Sequence, residues 1–157
     1  MIVRGITEEQ DIKAALELAM RVFMIFEAPE YPKEGIESFK AFLSSKEYIE
    51  KLTFFGAFDN DRLIGIISTR LLGSHIALFF VDKEYQGQGV GRLLFNKVVE
   101  ECCMERLTVN SSPYAAEIYR HFGFNDDMSE QITGGIRYIP MTYINVKKEN
   151  KNENKNI

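Results

Sequence analysis

VDKEYQGQGVGRLLFNKVVEE, residues 81–101, decides how the rest of the chain is read. Gly87, Gly89 and Gly91 alternate, then glycine stops and an apolar helical pattern begins. Glycine gives up more backbone freedom on folding than any other residue, so this spacing implies backbone that comes close to something or turns as a side chain forbids. A P-loop is excluded because no lysine follows the last glycine. A dinucleotide fingerprint is excluded because its third glycine position holds Arg92 or Leu94, depending on where the count starts. What remains is Gln86-x-x-Gly89-x-Gly91 between a strand and a helix. Free N–H groups and the helix dipole suit a phosphate there, and Arg92 adds a charged donor.

Working outward, HIALFFV (75–81) is apolar almost throughout and predicts a central strand buried on both faces. After the loop, Val90, Leu94, Val98 and Cys102 fall four apart on one helical face, flanked by Leu93 and Phe95. Upstream, TFFGAF and LIGIIST predict a hairpin closed by Asp59, Asn60 and Asp61. Ile2 to Gly5 predict a first strand. Thr7 to Gln10 form a Thr-x-x-Gln capping box opening a helix whose apolar face holds Ile12, Ala15, Leu16, Ala19, Val22 and Phe23. EAPEYPKEG interrupts that helix, and a second runs over about 36–43 with extension toward Lys51. Downstream come a strand, RLTVN, then a helix with Pro113 in its first turn and Gly123 at its end, and a hairpin turning at Gly134 and Gly135. The order β-α-α-β-β-β-α-β-α-β-β describes one mixed sheet flanked by helices, of the α/β or α+β class.

At 157 residues the chain is read as one domain over 1–146 and a disordered polar tail over 147–157. The net charge of −4 comes without a basic stripe, so nucleic acid is not an expected partner. No apolar run is long enough to span a bilayer, and the first ten residues lack a signal-peptide layout. Cys102 and Cys103 are adjacent and read as free thiols of a reducing compartment, so the expected location is cytoplasmic. Two cysteines and two histidines at no ligand spacing predict no metal.

VDKEYQGQGVGRLL resembles the acetyl-coenzyme A motif of the GNAT superfamily of N-acetyltransferases, Gln/Arg-x-x-Gly-x-Gly/Ala, matched by Gln86, Gly89 and Gly91. VNSSPYAAEIYRHFGF (109–124) is similar to the same family's strand, Asn, helix and Tyr-x-x-x-Gly-Phe segment, and the element order fits the family fold. The resemblance implies that Gln86, Gly87, Gln88, Gly89, Val90 and Gly91 hold the pyrophosphate of acetyl-coenzyme A, with Arg92 starting the helix. It implies that Phe79, Phe80 and Val81 pair their backbone with the pantetheine arm. It places a polar cofactor contact at Asn110, and a helix-entry turn with a capping Ser111 or Ser112 accounts for that residue equally well. Tyr119 matches the family's general acid, since the departing thiolate needs a proton or a hydrogen bond; its alternative is a core tyrosine.

The general base is the open question, because Ile76 to Val81 carry no titratable side chain. His75, with a reference pKa of about 6.5, and Glu27 are the candidates, acting through water. Glu27, Phe23, Phe26 and Tyr31 lie where the family builds its acceptor pocket. The resemblance therefore implies direct transfer of an acetyl group to a primary amine of a small molecule or peptide. The competing reading is a coenzyme A-binding sensor or regulatory module that turns nothing over. Relatives often pair through edge strands, which leaves a homodimer open.

Overall fold

A computed structural model describes residues 1–146, so the tail expected over 147–157 lies outside the described residues. Five helices and eight strands follow one another as β1 (Ile2–Ile6), α1 (Glu9–Phe26), α2 (Lys33–Ser44), α3 (Lys46–Glu50), β2 (Thr53–Asp59), β3 (Arg62–Arg70) and β4 (His75–Val81), then α4 (Val90–Glu101), β5 (Arg106–Ser111), α5 (Ala116–Phe122), β6 (Asn125–Asp126), β7 (Gln131–Thr133) and β8 (Ile136–Ile144). The sheet order is β1-β2-β3-β4-β5-β8-β6, and β7 pairs with β8 as a hairpin. Neighbours are antiparallel except β4 and β5, which run parallel with α4 as their crossover. A helical crossover is what a parallel pair requires.

Strand periodicity sends neighbouring residues to opposite faces. Phe54 and Phe55 of β2 accordingly enter different cores. On one face Leu18, Ala19 and Phe23 of α1 and Phe39 of α2 pack on Phe54, Ile66, Leu78 and Phe80. On the other, Val90, Leu94, Phe95 and Val98 of α4 and Tyr119 of α5 pack on Phe55, Ile64, Ile67 and Leu107. Leu94 has no exposed surface. Leu94→Ala should lower unfolding free energy by about 2–5 kcal/mol, the usual cost of emptying a fully packed leucine site, as read from a denaturant midpoint.

Two expectations are corrected. The capping box at Thr7 does not form: Glu8 is the N-cap, with no side-chain cap, and Glu9 and Asp11 in the first turn complement the dipole instead. Pro113 precedes α5 rather than opening it; a turn intervenes in which Ser112 accepts the Ala115 N–H through both its carbonyl oxygen and Oγ, at 3.1 and 3.2 Å. HIALFFV sends buried residues to both faces as expected, Ile76 into the α4 core and Leu78 and Phe80 into the α1 core, with a register shift against β3 at Ala77; His75, Ala77, Phe79 and Val81 are half-buried where the strand lines the clefts described next. Of the α4 flanks, Phe95 is buried and Leu93 is exposed.

Candidate active site

The parallel seam is short. β4 meets β5 only at His75 with Thr108 and Ile76 with Val109. Beyond Ile76 the strands diverge, and β4 continues to Val81 paired on its β3 side alone. A strand edge left open in this way presents main-chain groups to any extended, amide-bearing chain laid along it.

Past Val81 the chain is anchored before it reaches the glycines. Asp82 is buried, caps a 3₁₀ turn over Lys83–Tyr85 by accepting the Glu84 N–H at 3.2 Å, and receives Arg21 at 3.0 Å and Arg62 at 3.5 Å. Burial works to raise its pKa, but the Glu84 and Arg21 hydrogen bonds and the two cations outweigh it and hold the carboxyl below the usual range. Gln86 Nε2 donates to the Val81 carbonyl at 3.0 Å and Gln88 Nε2 to the Glu84 carbonyl at 3.0 Å, so both glutamine side chains brace the loop. Gly87 and Gly89 have φ of +76° and +83°, and nothing lies within 4 Å of where a Cβ would stand on either. Gly89 is the N-cap of α4, whose first turn carries no acidic residue. Arg92 stacks 4.4 Å over the Phe122 ring. The loop thus turns bare backbone, a helix dipole and one cation toward open space, an arrangement that fits a phosphate.

From this loop a cleft of about 600 Å³ runs along Phe79, Phe80 and Val81 to Ala115, Ile118 and Tyr119. A second cleft, of about 380 Å³, lies on the other side of the sheet opening and reaches His75, Arg70, Asn110 and the β7–β8 hairpin. The two share one wall: Glu27, Phe79, Phe80, Ala115 and Tyr119 line both.

Glu27 is placed by the end of α1. Its N–H closes the last turn onto the Phe23 carbonyl at 2.9 Å, and Pro29 then prevents the helix from continuing. Burial pushes the Glu27 carboxyl above its ordinary pKa of 4.5, and a hydrogen bond with Ser112 opposes part of that rise. Tyr119 is buried, its ring edge-on to Phe79 at 5.9 Å and Phe124 at 5.3 Å. Burial first, and the Glu27 charge second, raise its hydroxyl far above the ordinary phenol value, so it stays protonated.

The other expected residues separate. Phe23 lines the smaller cleft, where its ring stacks at 3.9 Å on Phe39, while Phe26 lines the larger one, stacked at 5.3 Å on Tyr114. Tyr31 lines the smaller cleft and donates its hydroxyl to the Arg137 carbonyl at 3.1 Å. Asn110 faces the smaller cleft rather than the one that begins at the glycine loop. His75 sits at the far end of the smaller cleft, its Nδ1 2.8 Å from Thr108 Oγ1, and burial together with the Arg70 charge pushes its pKa down to about 4. It is therefore neutral at physiological pH and stands four residues along β4 from Phe79, roughly 13 Å from the shared wall.

The sequence of residues 27–145 matches the profile of a family described as acetyltransferase (GNAT) domain. The chain belongs to the GNAT acetyltransferase family. Solved structures agree at the level of fold. A GCN5-related N-acetyltransferase from Rhodopseudomonas palustris is similar with a TM-score of 0.78 at 19% identity, covering 91% of this chain and 94% of that one. PaiA N-acetyltransferase from Thermoplasma acidophilum, in complex with coenzyme A, scores 0.71 at 18% identity, covering 92% and 99%. FeeM, an N-acyl amino acid synthase from uncultured soil microbes, scores 0.68 at 18% identity, covering 95% and 93%. Among curated proteins the sequence has no significant match. No helix among the described residues is long and apolar enough to cross a membrane.

Three residues of this GNAT domain's site escape a reading of the sequence. Ser112 reads as a turn cap, and its bond to Glu27 depends on a contact across more than eighty positions. Asp82, which carried no expectation, is the buried anchor ahead of the loop. Arg70, which follows the predicted LIGIIST strand and carried no expectation, lines the smaller cleft.

Proposed function

We propose that this protein is an N-acyltransferase that moves the acetyl group of acetyl-coenzyme A directly to the primary amine of a small molecule or peptide. The observation that carries this reading is the shared wall: a phosphate-suited cleft and a second cleft meet where one carboxyl and one phenol lie together. The residues present suit the co-substrate. The loop from Gln86 to Gly91 with Arg92 would hold the pyrophosphate, the open edge of β4 from Phe79 to Val81 would take the amide-bearing arm, and a structurally similar N-acetyltransferase is seen in complex with coenzyme A. Acetyl-coenzyme A supplies an acyl carbon activated as a thioester. Glu27 takes the proton that an ammonium must lose before its nitrogen can attack, directly or through water. As nitrogen bonds to the acyl carbon and the carbon–sulfur bond breaks, the Tyr119 hydroxyl donates a hydrogen bond to the departing sulfur. Its raised pKa makes it a poor source of a free proton but a permanent donor. Cys102 is buried at the far end of α4 and Cys103 follows it, so neither thiol takes part.

Thiol release from acetyl-coenzyme A in the presence of a panel of primary amines tests the reading. Release that depends on an amine supports transfer; binding of the co-substrate with no amine-dependent release would make the protein a coenzyme A sensor. The binding half has its own probe. Gly91 lies in the first turn of α4, and a Cβ there meets the Phe79 and Phe122 rings at ordinary distances of 3.6 and 3.9 Å, so Gly91→Glu adds a negative charge without straining the backbone. Calorimetry should show the acetyl-coenzyme A Kd rising about tenfold or more, a cost of roughly 1.4 kcal/mol or above. Unchanged affinity in the folded variant would remove the loop from the binding site.

A further inference from the structure

The smaller cleft is not neutral. Arg4, Arg21, Arg62, Arg120 and Arg137 each pair with a carboxylate. Arg70, Arg92 and Arg106 have no carboxylate partner among the described residues, and of these three Arg70 lines the cleft, although the protein as a whole carries a net charge of −4. Arg137, the other arginine in that lining, is occupied by Glu130, which accepts two hydrogen bonds from it at 2.9 Å each. Glu27 at the shared wall is then the cleft's carboxylate and Arg70 its unmatched cation.

Arg70 is followed by an unusual turn. It ends β3 opposite His75, and the next two residues, Leu71 and Leu72, have φ of +54° and +58°. Bulky side chains rarely adopt that backbone conformation, and Leu72 is 86% exposed, so no burial of its own compensates. Ser74 closes the turn by donating Oγ to the Leu71 carbonyl at 2.6 Å. The guanidinium charge reaches His75 and Tyr48, which both line the same cleft.

The separation between the two ends follows from the strand. His75 and Phe79 stand four residues apart on β4, with a register shift against β3 at Ala77 between them, and the Phe79 ring lies edge-on to Tyr119. Four residues of strand span roughly 13 Å, and the arginine and carboxylate side chains shorten what a ligand must bridge. Resting on the transferase reading above, we infer that the acceptor is a small-molecule primary amine carrying a carboxylate or similar anion about 10 Å from its nitrogen, with Arg70 receiving the anion and Glu27 the amine. An α-amino acid reacting at its α-nitrogen is too short for both contacts; an ω-amino acid of seven or eight carbons is long enough.

Three probes of one length separate the charge at the far end: 8-aminooctanoate, octylamine and 1,8-diaminooctane. The reacting amines have nearly equal basicity, so differences in kcat/KM report the distal group. Wild type should favour 8-aminooctanoate over octylamine by about tenfold, the scale of a hydrogen-bonded charge pair, and should disfavour the diamine. 4-Aminobutyrate, which cannot span the cleft, should show no such gain over butylamine. In Arg70→Ala the ratio of kcat/KM for 8-aminooctanoate over octylamine should fall to about one, through KM, and Arg70→Lys should restore part of it. Equal use of the acid and octylamine by wild type, or an unchanged ratio in Arg70→Ala, would overturn the inference. Calorimetric titration of 8-aminooctanoate without acetyl-coenzyme A keeps the two readings apart. If no amine releases thiol while wild type binds this acid and Arg70→Ala does not, the transferase reading fails and the anion site stands. If wild type neither binds the acid nor prefers it, the anion site fails whatever becomes of the transferase.

Discussion

Glu27→Gln should lower turnover by about 10² to 10⁴-fold, the range that positioned proton transfer contributes, and should erase the acidic limb of the pH profile. The substitution keeps the shape of the side chain and its ability to bond Ser112 while removing the basic oxygen. Burial raises the Glu27 carboxyl above 4.5, so the rate in the wild type should climb with pH through a midpoint above the ordinary carboxylate range. A histidine base at His75 would instead give a limb near 4, because burial and Arg70 hold that ring down. The same shift makes a statement about stability. A carboxyl whose pKa is higher folded than unfolded favours the native state most below the unfolded value, and that contribution is lost as pH rises through the folded value. Glu27→Gln should therefore match or exceed the wild-type melting temperature at neutral pH while losing activity. A variant that is both inactive and less stable would mark Glu27 as a structural residue. One that keeps the acidic limb would move the base elsewhere.

Tyr119→Phe should cost about 10²-fold in turnover or more, with acetyl-coenzyme A affinity nearly unchanged. The ring's contacts with Phe79 and Phe124 survive the change, so the variant isolates one hydroxyl. Burial and the Glu27 charge keep that hydroxyl protonated, hence the wild type should show no descending alkaline limb from Tyr119 in the working range. Single-turnover measurements decide the case: an unchanged chemical step in Tyr119→Phe would leave the phenol as packing alone.

Most of the element order and the loop were legible because each rests on short-range pattern. The glycine spacing, the four-residue rhythm from Val90 to Cys102 and the Asp-Asn-Asp turn are all written in neighbouring residues. The divergence of β4 from β5 was not, since HIALFFV is apolar on both faces whether or not a partner strand lies beside it. Glu27 and His75 were equal candidates in the sequence; their difference appears only when α1 delivers one to the shared wall and β4 carries the other to the opposite end of the cleft. Tyr119 was singled out through its motif, whereas the placement of Ser112 beside Glu27 and of Arg70 in the smaller cleft rests on contacts that no local pattern encodes.

The smaller cleft owes one of its walls to a place where two stretches of main chain touch with nothing between them. Gly35, in the first turn of α2, lies against Gly135 in the β7–β8 turn, and a Cβ on Gly135 would stand 2.5 Å from the Gly35 nitrogen. Ser38 Oγ donates to the Gly134 carbonyl at 2.7 Å beside it. For a lineage of such proteins, the smallest heritable step that reshapes this cleft is thus a single methyl group outside it. Such a step at Gly35 would lift Thr133, Ile136, Arg137 and Tyr138 together, as one panel, instead of altering one contact at a time. Changes in the shape of the smaller cleft would then come in jumps, with the shared wall of Glu27 and Tyr119 left where it stands.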